Sequence, residues 1–208
     1  MANLLHIDSS PRGERSISRQ LTHNFVTAWQ QKTPDLKITY RDLGHQIIPP
    51  VDEPWIAAAF APPEASSPEI KSALEISNEL IDELLAADYY VFGIPMYNFS
   101  VPSNFKAYID QVVRVRRTFI VNEQGGYEGL VNNKKMLVIT ARGGAYSAGT
   151  PTEQYDFQEP YLRAIFGMIG ITDITFIHAE NLSGGAQVRQ QSLDNAHAAF
   201  DRTIVSWS

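Results

Sequence analysis

Short apolar segments alternate along this chain with longer segments whose apolar residues recur every three or four positions. This alternation limits the possible folds more than any other feature. The first apolar segment, residues 4–8, ends at a cluster of serine, proline and glycine, and Ile17, Leu21 and Phe25 then follow at the spacing of one helix face. Such a rhythm is typical of buried parallel strands joined by helices. It therefore predicts an α/β fold.

The whole pattern predicts five strands in one domain. We expect strands over residues 4–8, 36–43, 89–93, 135–140 and 173–179, helices over 17–28, 53–60, 67–85, 104–113, 154–169 and 185–206, and a small hairpin within 118–131. Strands that alternate with helices imply right-handed crossovers and a parallel sheet covered on both faces. The predicted fold is a flavodoxin-like doubly wound sheet of order 2-1-3-4-5, in a single domain over residues 1–208.

Composition excludes several classes of function. The chain has no cysteine, so it has no thiolate chemistry and no disulfide, and its net charge of -6 argues against a nucleic-acid partner. The five histidines are scattered and show no metal-ligand spacing. No signal peptide or membrane-spanning run is visible, so we expect a cytoplasmic protein without membrane or metal.

The loop after the first strand is rich in hydroxyl groups. It contains Ser10, Ser16 and Ser18 but only one glycine, so it matches neither a dinucleotide fingerprint nor a P-loop. Hydroxyls and the free N–H groups at a helix N-terminus can bind a phosphate, and Ile17 offers its main-chain N–H. The alternative is an ordinary polar loop in which Ser16 only caps the helix.

The loop after the third strand carries large apolar residues around an amide. Met96, Tyr97 and Phe99 can pack along a planar ring system, and Asn98 has both a donor and an acceptor for the polar edge of such a ring. The alternative is a loop that merely covers the core. Because the first and third strands are neighbours in the predicted sheet, both loops lie at its carboxyl edge. Together they suit the two ends of flavin mononucleotide (FMN).

The loop after the fourth strand adds Ala141, Arg142, Gly143 and Gly144. Its two glycines allow the backbone to approach a ligand closely, and their N–H groups can face the edge of the ring where negative charge collects on reduction. The alternatives are a turn without a ligand and an Arg142 that faces solvent or a partner chain.

These segments together resemble the FMN-dependent NADH azoreductases, which are also NADH:quinone reductases. The segments that carry the resemblance are Ser9-Ser10, Ser16-Ile17-Ser18, Pro95-Met96-Tyr97-Asn98-Phe99 and Ile139-Thr140-Ala141-Arg142-Gly143-Gly144, and it extends over nearly the whole chain. It implies a homodimer with one noncovalent FMN per subunit, NADH as the electron donor, and ping-pong transfer to quinones and azo compounds. The flavin N5 does the chemistry, so no catalytic side chain is required.

The resemblance also implies roles for individual residues. Ser10 and residues 16–18 hold the phosphate, while residues 96–99 and 141–144 hold the ring system. The substrate pocket is formed by Asn98, Phe99, Phe119 and Tyr146. The chain departs from the family pattern at Ala141, where serine is common, and at Tyr146, where histidine is common, so substrate preference is expected to differ.

Two other functions remain open at this stage. A flavodoxin-type carrier would bind FMN and pass single electrons to a partner protein, and a phosphoryl-ester hydrolase would use the same phosphate loop. The hydrolase lacks a visible nucleophile and base pair. The residues themselves also suggest a homodimer, since Phe105, Tyr108, Ile109 and Val112 would form an apolar patch if their helix face were exposed.

Overall fold

The computed structural model describes residues 2–62, 64–65 and 67–207. In chain order the elements are β1 (Asn3–Asp8), α1 (Ile17–Lys32), β2 (Lys37–Asp42), α2 (Glu53–Phe60), α3 (Pro68–Ala73), α4 (Glu75–Ala86), β3 (Tyr89–Pro95), α5 (Ser103–Val112), β4 (Phe119–Val121), β5 (Tyr127–Gly129), β6 (Lys135–Ala141), α6 (Glu159–Met168), β7 (Asp173–Ala179), α7 (Ala186–Ala198) and α8 (Phe200–Trp207).

The main sheet has five parallel strands in the order β2-β1-β3-β6-β7. Because β4 and β5 pair only with each other, as an antiparallel hairpin, β6 and β7 are the fourth and fifth strands of the main sheet. The predicted order 2-1-3-4-5, the flavodoxin-like fold and the hairpin are therefore confirmed. The order reverses between β1 and β3, which is where ligands bind in sheets of this kind.

Helices cover both faces of the sheet. Alternate residues of each strand point to opposite faces, so each strand contributes apolar side chains to both layers of the core. Leu4 and Val91 pack on the side of α1, α7 and α8, whereas Leu5 and Tyr90 pack on the side of α4, α5 and α6.

Side-chain caps fix the first residue of three helices. Ser16 accepts a hydrogen bond from the N–H of Arg19, Asp52 accepts one from Trp55, and Ser67 accepts one from Ile70.

Three predicted helices are shorter or divided. The first splits at Leu74, because α4 packs on the sheet while α3 has no buried residue. The second begins at Glu159 rather than near residue 154, where the Asp156 carboxylate accepts from the N–H groups of Gln158 and Glu159 at 3.0 Å each. The third divides at Ala199 into α7 and α8.

The sequence-based reason for a dimer at α5 is wrong. Phe105, Tyr108, Ile109 and Val112 are at most 1% exposed and belong to the core beneath the sheet. Their spacing marks the face of α5 that this chain buries itself, so this face leaves no patch for a partner.

Within the described ranges, no helix combines the length and the apolar character that crossing a membrane requires. The same residues contain no group of three or more histidines and carboxylates placed to hold a metal ion.

Candidate functional site

The carboxyl ends of β1, β3 and β6 meet around a cavity of about 280 Å³. It is lined by Ser10, Arg12, Ser16, Ile17, Pro95, Met96, Tyr97, Ala141, Arg142, Gly143, Leu182, Ser183 and Arg189. The structure thus brings together the three loops that the sequence singled out. The volume lies just below the roughly 300 to 1,000 Å³ of pockets that hold a whole small molecule. A nucleotide bound here would therefore extend beyond the cavity.

The serines of the first loop are buried and have different tasks. Ser9 donates its hydroxyl to the Gly93 carbonyl at 3.0 Å, which ties the loop to β3. Ser10 and Ser16 line the cavity, and the Ser16 and Ser18 hydroxyls lie 3.2 Å apart. The Ser16 hydroxyl also caps α1, accepting from the Arg19 N–H at 3.4 Å. Capping and ligand binding are therefore not exclusive here, because a hydroxyl oxygen has two lone pairs and one proton.

The donors around the cavity suit an anion. Ile17 and Ser18 occupy the first turn of α1, where backbone N–H groups have no partner within the helix and the helix dipole is positive. Arg12 and Arg189 add guanidinium groups, and neither forms an ion pair with a described residue. None of the described lining residues is Asp or Glu. This donor set matches a phosphate.

The loop after β3 is a tight turn with an unusual backbone. Tyr97 and Ser100 exchange two backbone hydrogen bonds of 3.0 Å, and both residues between them have positive φ, 48° at Asn98 and 68° at Phe99. This is the geometry of a type I′ turn, in which glycine is the usual second central residue. Left-handed backbone at a bulky aromatic residue is strained, and such strain is found most often at ligand sites.

The turn presents its side chains outward. Tyr97 and Phe99 are 38% and 41% exposed, and Asn98 is also exposed. Phe99 stacks on Tyr155 with ring centroids 5.2 Å apart and meets the edge of Tyr146 at 5.9 Å. The structure thus places Asn98, Phe99 and Tyr146 at one edge of the site, with an apolar surface suited to a planar ring.

The loop after β6 keeps its glycine N–H groups free. The carbonyls of Gly143 and Gly144 accept from the backbone N–H groups of Ser183 and Asn181 at 3.1 and 3.0 Å, while their own N–H groups have no partner among the described residues. A Cβ on Gly144 would lie 3.1 Å from the Tyr146 hydroxyl. The predicted close approach of backbone to a ligand therefore remains available at both glycines.

The Arg142 side chain lies inside the protein, where it binds polar residues of this chain. Its guanidinium is fully buried and donates to Gln158 at 3.0 Å, Asp156 at 2.9 Å and Glu180 at 3.2 Å. The alternatives that it faces solvent or a partner are therefore wrong. Arg142 lines the cavity, and its buried guanidinium links the loops after β6 and β7.

His178 lies beside this charged group. Its ring nitrogens are 2.8 Å from the Thr140 hydroxyl and 2.7 Å from the Glu159 carboxylate. Burial, together with the positive charge of Arg142, lowers the pKa of His178 below its ordinary value although Glu159 opposes the shift. Burial and Arg142 thus favour the neutral form of the imidazole.

Phe119, like Ser18, Asn98, Phe99, Gly144 and Tyr146, is not among the residues that line the 280 Å³ cavity. Phe119 lies in a separate groove of about 430 Å³ that also contains Trp55, Phe60 and Tyr161. Tyr161 and Lys106 connect this groove to a surface depression at Tyr97 and Asn98. The pocket role of Phe119 stays a prediction.

A larger cavity of about 770 Å³ lies on the outer side of the first loop, between α1 and β2. Three carboxylates, Asp8, Glu14 and Asp42, line it. It contains the buried His6, whose Nε2 lies 3.4 Å from Asp8 but is not oriented to form a hydrogen bond. Arg19 is the one arginine among its described lining residues and is paired with Asp8 and Asp42, so the net charge of these groups is less suited to a phosphate than that of the smaller cavity.

Sequence reasoning missed the contribution of the loop after β7. Leu182, Ser183 and Arg189 line the 280 Å³ cavity, Arg189 from the first turn of α7. The signal was present, because the carboxyl end of every parallel strand meets the same edge of the sheet. Four of the five residues at 181–185, soon after the last strand, are polar or glycine: Asn181, Ser183, Gly184 and Gly185.

Comparisons with known proteins place this chain in a family. A family model described as flavodoxin-like fold matches residues 2–204. FMN-dependent NADH:quinone oxidoreductase 1 of Trichormus variabilis is 63% identical over 204 residues, covering 98% of this chain and 96% of the relative. FMN-dependent NADH:quinone oxidoreductase 2 of the same organism is 59% identical over 208 residues and covers both chains completely.

A solved structure of a protein with a related name has a similar fold. The FMN-dependent NADH-azoreductase from Bacillus anthracis, crystallised in complex with FMN, superposes with a TM-score of 0.86 at 25% identity. The match covers 98% of this chain and 100% of that chain.

Proposed function

We propose that this chain, which belongs to the flavodoxin-like family of FMN-dependent NADH:quinone oxidoreductases, transfers electrons from NADH to quinones through a noncovalently bound FMN. The observation that carries the proposal is the cavity at the ends of β1, β3 and β6, where the described lining residues offer polar groups but no carboxylate. It binds one end of a nucleotide, and the strained turn beside it offers an apolar surface to the other end.

The residues present fit FMN at both ends. The hydroxyls of Ser10, Ser16 and Ser18 and the N–H groups of the first turn of α1 would hold the phosphate. Residues 96–99 and 141–144 would hold the ring system, with the Asn98 amide and the glycine N–H groups at its polar edges. Ala141 offers no hydroxyl in this set.

When bound, FMN supplies the redox chemistry, since it accepts a hydride equivalent at N5 and passes two electrons on. The protein then needs no side chain as acid or base at the reacting atoms. Its task is to bind and orient. The free N–H groups of Gly143 and Gly144 would stabilise negative charge on the adjacent edge of the ring.

We also propose that donor and acceptor use one pocket in turn, so that NADH leaves before the quinone binds. Azo compounds would enter the same pocket, since they too are flat, electron-poor conjugated molecules, and the azoreductase name of the structural relative supports this range. Tyr146 and Phe99 would form its wall. The loops converge on a single edge of the sheet, which leaves one approach to the ring.

Homodimerisation remains part of the proposal on grounds other than α5. Tyr97, Phe99 and Tyr155 lie at the site with 38% to 43% of their surface exposed, and Phe60 is 70% exposed. A second subunit over these residues would cover apolar surface and complete the pocket. Sedimentation velocity at micromolar concentration tests this, because a monomer would contradict the shared site. A cytoplasmic location stays a prediction.

An anaerobic titration tests the function. The protein is reconstituted with FMN, freed of unbound flavin, mixed with NADH and then with a benzoquinone, while flavin absorbance is followed. Bleaching by NADH and recovery on adding quinone are the expected results. Retained flavin that NADH cannot bleach would favour an electron carrier, and failure to retain flavin would contradict the assignment of the cavity.

A pair of variants links this result to the phosphate loop. Replacing Ser16 and Ser18 together by alanine should weaken FMN binding by roughly 1 to 3 kcal/mol for each buried hydrogen bond to the phosphate that is removed. Ser9→Ala is the matched control, since its equally buried hydroxyl binds the Gly93 carbonyl. Because the Ser9 hydroxyl ties the loop to β3, Ser9→Ala measures the loss of FMN affinity that comes from loosening the loop alone. A double variant that loses no more affinity than Ser9→Ala would show that the hydroxyls of Ser16 and Ser18 do not bind the phosphate.

A further inference from the structure

Arg19 lines the 770 Å³ cavity on the outer side of the phosphate loop, and it does not line the 280 Å³ cavity. It lies in the first turn of α1, and its Nε and Nη2 atoms both donate to the Ser10 carbonyl, at 3.1 and 2.7 Å. The side chain is 12% exposed. One edge of the guanidinium therefore binds the Ser10 carbonyl, in the same loop whose Ser10 and Ser16 line the 280 Å³ cavity.

The guanidinium is itself held by β2. Its Nη1 donates to the Tyr40 hydroxyl at 2.6 Å, and its Nη2 forms an ion pair with Asp42. The other oxygen of Asp42 is 2.9 Å from Nδ1 of His45. Burial opposes the charged form of Asp42, but the hydrogen bonds from Arg19 and His45 outweigh it and keep the pKa of this carboxyl below its ordinary value. Arg19 is therefore fixed between two elements.

The Ser10 carbonyl has little freedom to leave this position. A Cβ placed on Gly44 would lie 2.2 Å from the Ser10 oxygen and 2.6 Å from Nη2 of Arg19, so Gly44 closes over the contact as only glycine can. The neighbouring Ser9 carbonyl accepts from the Asn104 amide at 2.9 Å. The carbonyls of Ser9 and Ser10 are thus both held by hydrogen bonds, from Asn104 and Arg19 respectively.

We propose that Arg19 is a positioning residue for the FMN phosphate, and the inference rests on the proposed function. By fixing the Ser10 carbonyl it fixes the direction of the Ser10 side chain and the start of the loop that leads to Ser16. Its charge is neutralised by Asp42, so its effect on a bound phosphate comes from orientation rather than from attraction at a distance.

The geometry also explains why arginine stands at this position. The planar fork places two donors on one carbonyl while a third reaches Tyr40, and a lysine ammonium cannot reproduce that set of directions. Arg19→Lys should therefore behave as a weakened variant, with an effect between those of the wild type and Arg19→Met.

Arg41 provides a matched control on the same strand as Tyr40 and Asp42. It is 14% exposed and makes a comparable set of bonds, to Glu83 at 2.7 Å and to Glu79 at 2.5 Å, but it touches no residue of the phosphate loop. Arg41→Met therefore removes a similar ion pair without disturbing Ser10.

The test compares the dissociation constants of FMN and riboflavin, which differ only by the phosphate. In Arg19→Met we expect the FMN constant to rise about tenfold to a hundredfold, by analogy with groups that orient the ligands of a metal ion, and the riboflavin constant to change less than about twofold. Arg41→Met should leave both constants within about twofold. Urea denaturation of each apoprotein checks that both variants fold.

The outcomes separate the two proposals. Equal losses for FMN and riboflavin in Arg19→Met, or no loss for either, would overturn the positioning role while leaving the oxidoreductase intact. A wild type that binds neither flavin would overturn the proposed function itself. If Arg19→Met does not fold, Asp42→Asn replaces it, and the same selective loss for FMN, smaller in size, is expected.

Discussion

The strained turn after β3 permits a test that separates backbone strain from ring packing. Phe99 has φ of 68°, whereas Tyr97, in the same turn and similarly exposed, does not have positive φ. An L-residue in left-handed backbone costs roughly 1–2 kcal/mol. Glycine at such a position escapes that cost but loses about 0.4–1 kcal/mol through the greater freedom of its unfolded chain.

The comparison of Phe99→Gly with Phe99→Ala isolates the strain. Neither variant can pack a ring on Tyr155 and Tyr146, so this packing cancels in the difference. The glycine variant should then be more stable than the alanine variant by about 1 kcal/mol, or about 2–4 °C in melting temperature for a chain of this size. Differential scanning calorimetry of the apoproteins measures the difference.

The same pair at Tyr97 is the control and should give the opposite sign. With ordinary backbone, Tyr97→Gly should be less stable than Tyr97→Ala by roughly 0.5–1 kcal/mol. Both Phe99 variants should lose quinone reductase activity to the same degree, because neither presents an aromatic ring. Equal melting temperatures at Phe99 would refute the strain argument. Activity that returned in Phe99→Gly alone would show that the ring is dispensable.

Three further predictions concern charges around the site. Arg142→Met leaves the Asp156 and Glu180 carboxylates without their buried partner and should lower the free energy of unfolding in urea by about 3 kcal/mol. The pKa of His178 is lowered in the folded state, so as the pH falls the unfolded chain binds a proton at this histidine before the folded chain does. The free energy of unfolding should therefore fall as the pH drops below about 6.5 and level off below the folded pKa. His178→Gln should remove this dependence in thermal melts at a series of pH values. Arg189→Gln should weaken FMN binding about two- to fivefold at low salt and less at high salt, with riboflavin unaffected in a fluorescence titration.

Each of these has an outcome that contradicts it. A loss below about 1 kcal/mol in Arg142→Met would mean that the two carboxylates are satisfied without the guanidinium. An unchanged slope of stability against pH in His178→Gln would assign the dependence to another group. A loss of riboflavin binding in Arg189→Gln would place this residue at the ring rather than at the phosphate.

The fold was predictable because its signals are local and repeated. Each buried strand is a short apolar run, and each helix that packs on the sheet has a stripe of apolar residues, so order and type follow from the sequence. The divisions near Leu74 and Ala199 were not predictable. The apolar spacing continues through both positions, and only the direction in which each segment packs breaks the helix.

The wrong inference of a dimer surface at α5 also came from relying on apolar spacing. An apolar face on a helix predicts that the face is buried, but it does not say by what. Phe105 and Tyr108 are covered by the sheet of their own chain, whereas the exposed aromatic surface is at Phe99 and Phe60, in a turn and at a helix end where no periodicity marks it. Spacing therefore identifies what is buried within a chain better than what is left for a partner.

The clustering of the serines at the proposed phosphate site was easier to predict than the residues that hold their loop in place, and the reason is physical. Ser10, Ser16 and Ser18 lie within nine residues of one another, and a strand followed by a helix brings them together in every fold of this type. Arg19 is equally close in sequence, but its partners are on β2, and only the pairing of β1 with β2 places Asp42 beside it. A loop's ligands can thus be read from one segment, whereas the groups that hold the loop in place depend on the topology of the sheet.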